Sequence, residues 1–135
     1  VESYLAQAQR MLEPHHAAAI GQARLRRIVP STCRLALEAA LQKVAWRRLL
    51  DDGASHEDAA AILGGARATI GLAAIALFGD PRRGKEVHDE MTSRFGELAE
   101  AYRVSVHCAH GTFDGDLKRL VKDARRLAKR IEALR

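Results

Sequence analysis

The chain has 135 residues, of which 47% are hydrophobic but only 4% are aromatic. This length suits one domain. So few aromatic side chains favour a core of closely packed helices over a β-sandwich, whose strands are rich in aromatic and β-branched residues. The formal net charge is +5, and 17 of the 22 basic residues are Arg. Such a charge permits contact with nucleic acid or another polyanion, although the Arg-rich composition of a GC-rich genome would produce it too.

Membrane contact and secretion are not expected. The sequence has no run of about 18 apolar residues and no signal peptide. Cys33 and Cys108 are too isolated to form a disulfide framework, so we expect a reducing, cytoplasmic location. The chain begins at Val1 rather than Met, which is compatible with a fragment of a larger protein, and we interpret residues 1–135 as a single helical domain.

Proline and glycine divide the first half of the chain into predicted helices. The first three cover residues 2–12, 14–29 and 30–52. Pro14 either begins the second helix or kinks a longer one. Pro30 is expected to start a third, because proline lacks the N–H that continues a helix and is favoured in a first turn. Gly53 is a typical C-terminal stop.

The middle of the chain predicts the most buried helix. Ser55 and Asp58 stand at capping-box spacing and predict a helix start. This helix is weakened by the glycine pair at 64–65 and resumes to Phe78. From Ile70 onward it is apolar nearly all round, which predicts a buried central element.

The last two predicted helices run from Pro81 to about Ala109 and over residues 116–134. Apolar residues recur in the final helix at spacings of three and four: Leu117, Leu120, Ala124, Leu127, Ile131 and Leu134. Another face is basic, with Lys118, Lys122, Arg125 and Lys129. That face is either a solvated surface or a surface for phosphates. Together these patterns predict an all-α, up-and-down bundle of four to six helices.

Arg103, His107 and His110 follow one another at spacings of four and three, so they stack along one side of a helix. That side borders an apolar stripe of Phe95, Leu98, Tyr102, Val106 and Ala109. A histidine can remove the 2′-hydroxyl proton of RNA, and a guanidinium can hold the phosphate as charge builds up. The alternative is a set of cations that stabilises the helix C-terminus through its dipole.

The stretch from Arg103 to Gly111, followed by a turn and an amphipathic helix, resembles the HEPN superfamily. Its signature is an Arg, four to six residues and then a His, placed late in the chain. Arg103 and His110 are separated by six residues. The helix at 34–43 leading to 49–53 also looks like family members. Val104 takes a position where the family usually has a polar residue.

The resemblance implies a HEPN-like bundle that acts on RNA as a homodimer in a toxin or defence setting, with an antitoxin or a fused domain as a further partner. Two Arg–His motifs would meet to form one metal-independent ribonuclease site, without a cofactor. Arg103 would hold the scissile phosphate, His110 would act as general base or acid, and His107 would assist. The alternative is a non-catalytic dimerisation or protein-interaction module.

Three other patterns are weaker. A basic bundle could bind DNA, but the sequence has no convincing helix-turn-helix. His107, Cys108 and His110 could ligate a metal, but the sequence has no second cluster of ligands. The other histidines are scattered, although a bundle could bring them together: His15, His16, His56 and His88. Residues 79–85 match the spacing of a phosphate-binding loop, yet a helical pattern precedes them and Glu86 replaces the Ser or Thr that would hold magnesium. We interpret them as a turn between helices.

Overall fold

The computed structural model describes residues 1–66, 68–107 and 113–134. These residues contain no β-strand, which confirms an all-α helical bundle. They form eight α-helices: α1 (Glu2–Met11), α2 (Pro14–Ile20), α3 (Gln22–Asp51), α4 (His56–Gly65), α5 (Thr69–Phe78), α6 (Val87–Phe95), α7 (Ala99–His107) and α8 (Leu117–Glu132). Two short 3-10 helices cover Pro81–Glu86 and Gly96–Leu98. No helix of the described residues is both long and apolar enough to cross a membrane.

Helix α3 is the centre of the bundle. It packs against α1, α2, α4, α5, α7 and α8, and its buried side chains are mostly Leu and Ala, which let neighbouring helices approach closely. The predicted central element, α5, is buried over residues 73–77, but Ile70 in its first turn is 37% exposed. The predicted burial of this segment is therefore largely confirmed. The prediction that it is the central element is wrong, because α3 has that position.

The expected helix start at Pro30 is also wrong, because Pro30 lies buried inside the continuous helix α3. The chain breaks instead at Gly21, whose φ of +86° suits glycine. Proline cannot donate to the carbonyl four residues earlier, which here belongs to Arg26. The backbone N–H of Phe113 donates to that carbonyl at 3.1 Å and takes the place of the missing donor.

The side chain of Arg26 strengthens this long-range contact. Its Nη1 donates to the carbonyls of Phe113 and Gly115, each at 2.9 Å. We call these three hydrogen bonds the Arg26 clasp. The clasp fixes the segment that leads into α8 against α3, and residues 26 and 113 stand 87 positions apart in the sequence.

The helix predicted from Pro81 to about Ala109 is divided in the structure. A 3-10 turn precedes α6, and Gly96, with a φ of +58°, turns the chain through a second 3-10 turn into α7. The predicted apolar stripe is divided as well, since Phe95 ends α6 while Tyr102 lies on α7. The expected helix end near Ala109 lies outside the described residues.

Other local predictions are confirmed. The Ser55 hydroxyl caps α4 by accepting from the N–H of Asp58 at 3.0 Å. The glycine pair at 64–65 ends α4, and α5 starts at Thr69. Helix α8 begins after Asp116, which accepts from the N–H of Arg119, and the predicted apolar positions within α8 are buried.

Replacement of Arg26 tests the clasp. Arg26→Ala removes two hydrogen bonds from a charged donor, and we expect the free energy of unfolding to fall by about 1–2 kcal/mol. Arg27→Ala is the matched control, because exposed Arg27 has no hydrogen bond or ion pair within the described residues; its effect should stay within about 0.5 kcal/mol. Urea unfolding of both variants measures the difference, and equal losses would contradict the clasp.

Candidate functional site

Arg103 and His107 are exposed one turn apart on α7 and line the same surface groove, between α6 and α7. The groove has a volume of about 510 Å³. The structure thus brings together two of the three predicted site residues. His110, the third, lies outside the described residues, as does Cys108.

A second histidine, His88 on α6, lines the groove opposite His107. The two imidazole rings are nearly parallel, with 7° between their planes and 5.9 Å between their centroids. We call the groove lined by His88, Arg103 and His107 the histidine groove. Sequence reasoning missed His88 because it predicted one continuous helix from Pro81 to about Ala109. In such a helix His88 and His107, 19 residues apart, would be separated by about 28 Å. The turn at Gly96 brings α6 back against α7 and removes that distance.

Buried Tyr102 supports His88. The Tyr102 ring meets the His88 ring edge-on, with centroids 5.8 Å apart. Its hydroxyl has no hydrogen-bond partner within the described residues. Burial is the larger cause and the negative charge of Glu38 is the smaller one, and together they raise the pKa of Tyr102 to about 12. Tyr102 therefore acts as an apolar wall behind His88 and stays protonated over the whole physiological range.

Glu100 holds the guanidinium of Arg103. Arg103 Nε donates to Glu100 Oε2 at 2.8 Å, and Nη2 donates to the other carboxylate oxygen. These hydrogen bonds lower the pKa of the Glu100 carboxyl below its usual range. Both side chains are more than half exposed, so the pair adds little to stability. Its main effect is to orient Arg103 and partly neutralise its charge.

The apolar character of Val104 has a structural reason. Its side chain is only 7% exposed and lines a different groove, of about 730 Å³, between α7 and α8. Arg103 stands about 100° around the same helix and faces the histidine groove. Val104 is thus a packing residue, and a polar side chain in its place would be buried.

The two grooves meet at a shared edge. Glu97 and Glu100 line both of them. The α7–α8 groove has apolar residues at its base and three arginines of α8 along its wall: Arg119, Arg126 and Arg130. A long ligand could therefore run from the histidine groove to the basic face of α8.

Other sequence patterns give no comparable site. Cys33 is buried, and burial raises the pKa of its thiol to about 12, so the reactive thiolate is absent near neutral pH. The segment at 79–85 follows helix α5 and forms a 3-10 turn in which Arg82 pairs with Asp80 and Arg83 with Glu86. This geometry agrees with a turn between helices and not with a phosphate-binding loop.

The chain matched no family model, no curated protein and no solved structure. Its function therefore has to be inferred from the chemistry of its own surface.

Tyr102→Phe tests the protonated wall behind His88. The pKa of Tyr102 rises from 10.0 to about 12 on folding, so the unfolded chain loses the hydroxyl proton at a lower pH than the folded protein does. The free energy of unfolding is therefore unaffected by this group below pH 10 and falls as the pH rises from 10 to 12. The phenylalanine variant lacks this loss. Between pH 9 and pH 12 we expect the free energy of unfolding of the wild type to fall by about 2–3 kcal/mol more than that of the variant. Urea unfolding between pH 9 and 12 measures this, and parallel pH profiles would contradict it.

Proposed function

We propose that the chain is a HEPN-like, metal-independent endoribonuclease that cleaves RNA in the histidine groove. The observation that carries the proposal is the placement of two imidazoles, His88 and His107, in one groove with the guanidinium of Arg103. The same resemblance leads us to propose a homodimer that unites two Arg–His motifs. A toxin or defence setting, with an antitoxin or a fused domain as partner, belongs to this proposal.

The chemistry needs a general base, a general acid and a group that binds the phosphate. A base takes the proton from the 2′-hydroxyl, whose oxygen then attacks phosphorus. The bond from phosphorus to the 5′-oxygen breaks, and an acid gives that oxygen a proton, which leaves a 2′,3′-cyclic phosphate and a 5′-hydroxyl end. Histidine suits both proton transfers near neutral pH. His107 and His88 are the acid–base pair within the described residues, and His110 adds the histidine of the motif.

Arg103 binds the scissile phosphate in this scheme. A guanidinium presents a planar fork to two phosphate oxygens and stabilises the extra negative charge of the transition state. In the free protein the carboxylate of Glu100 occupies this fork. RNA must therefore displace Glu100 from Arg103 or share the guanidinium with it, so Glu100 orients Arg103 but opposes phosphate binding.

The exposed face of α8 would hold the RNA backbone. Four of its exposed cations form neither an ion pair nor a side-chain hydrogen bond within the described residues: Lys118, Lys122, Arg126 and Lys129. A cation without an ion pair loses no partner when it binds a phosphate. Its binding releases counterions condensed on the RNA, which favours association. The α7–α8 groove lies between this face and the histidine groove and would bring a strand from one to the other.

A non-catalytic interaction module is the second candidate. The α7–α8 groove favours it, because the apolar side chains of Leu98, Val104 and Leu120 line a groove open to the surface. In that case a partner protein would pack there, and the histidines would have no role in chemistry.

Cleavage assays distinguish the two. With EDTA present, we expect the wild type to cleave RNA, and we expect Arg103→Ala, His107→Ala, His110→Ala and His88→Ala each to reduce the rate at least about 100-fold. His56→Ala is the matched control, an exposed histidine on α4 that should leave the rate unchanged. No cleavage by a folded wild-type dimer would contradict the enzyme and favour the interaction module.

Glu100→Gln tests the competition for Arg103. Loss of the carboxylate charge weakens the hold of this side chain on Arg103, and we expect RNA to bind about two- to fivefold more tightly at low salt. Glu97→Gln is the control, since Glu97 lines the same groove without an ion pair to any described residue. Fluorescence anisotropy with a 2′-deoxy-substituted, uncleavable oligonucleotide measures affinity. Equal affinity in the two variants would mean that Glu100 does not compete.

A further inference from the structure

Three potential metal ligands come together where α1 ends and α2 begins. A carboxylate oxygen of Glu13 and a ring nitrogen each of His15 and His16 all lie within 4.8 Å of one another. All three side chains are exposed, and none of them lines the histidine groove. We call these residues the α1–α2 cluster.

Local structure explains why they converge. Glu13 is the N-cap of α2, and Pro14 follows it at the first helical position, where its fixed φ starts the helix. His16 stands three residues after Glu13 and so returns to the same side, with its Nδ1 3.6 Å from Glu13 Oε2. The ring of His15 packs on that of His16, with 3.9 Å between the centroids.

A backbone carbonyl orients His16. Its Nδ1 lies 3.0 Å from the carbonyl oxygen of Arg10, in the last turn of α1. When Nδ1–H donates to this oxygen, the lone pair is on Nε2, which is then the ring nitrogen available to a metal. Metal-binding histidines are commonly held in this way by a carbonyl or carboxylate. The carbonyl end of a helix also carries partial negative charge, which favours a nearby cation.

We propose that the α1–α2 cluster binds one Zn²⁺ ion through Glu13, His15 and His16, with water at the fourth position. Two imidazoles and one carboxylate form a donor set that zinc accepts in proteins. Ligands about 2.0–2.2 Å from a tetrahedral ion lie about 3.4 Å from one another. The cluster therefore needs to close by up to about 1.4 Å from the observed limit of 4.8 Å, which rotation of exposed side chains provides.

Neighbouring charges set the strength of this site. Glu13 also lines a groove with Arg10, Lys118, Lys122 and Arg125. These cations oppose a divalent ion, whereas the Glu13 carboxylate favours it. We expect micromolar affinity, weaker than that of a structural zinc site.

Zinc titration tests the site. Tag-free protein is treated with EDTA, dialysed and titrated with ZnCl₂ in a calorimeter, and we expect one ion per chain. His15→Ala, His16→Ala and Glu13→Gln should each weaken binding at least about tenfold. The exposed histidine variants His56→Ala and His88→Ala are the controls and should bind zinc as the wild type does.

Two results would overturn the site: unchanged affinity in His15→Ala and His16→Ala, or loss of binding in His88→Ala. Thermal melts give a second measurement, because zinc should raise the Tm of the wild type above its own value in EDTA but should leave the Tm of His16→Ala at its value in EDTA. Cleavage in EDTA should be the same for both proteins, so failure of the zinc site and failure of the ribonuclease proposal can be told apart.

Discussion

Helix α3 must bury apolar side chains along 30 residues, and the rest of the bundle is arranged around this requirement. At about 1.5 Å per residue the helix is about 45 Å long, and no single neighbour covers it. Helices α1, α5 and α8 pack most extensively against it. The many alanines on α3 keep these contacts close, so helices rather than large aromatic side chains fill the core.

The continuity of α3 in turn depends on what happens at Pro30. A proline inside a helix leaves one carbonyl without its donor, and a buried carbonyl without a donor is costly. Here the segment before α8 supplies the donor, and the guanidinium of Arg26 binds the carbonyls of that segment in exchange. The hydrogen bond from Phe113 compensates for Pro30, and together with the two from Arg26 it determines where α8 begins its path across the bundle.

Features determined by neighbouring residues were predictable from the sequence, and features determined by distant ones were not. The stripe of α8 and the Ser55 cap are local patterns, and both were predicted. Pro30 was misjudged because its compensating donor, Phe113, is far along the chain. The spacing of four between Arg103 and His107 placed them on one face, but His88 joins them only through the turn at Gly96. Glu100 could have been found, since it stands three residues before Arg103 and such pairs meet on a helix.

The return of α8 onto α1 and α3 has a consequence for synthesis of the chain. Both N-terminal helices emerge from the ribosome long before residues 117–132, which cover part of their apolar surface. At 5–20 residues per second, α3 waits on the order of several seconds for α8. During that time one side of α3 is uncovered and can associate with chaperones or with other nascent chains. The interval ends when the segment after residue 112 reaches Arg26.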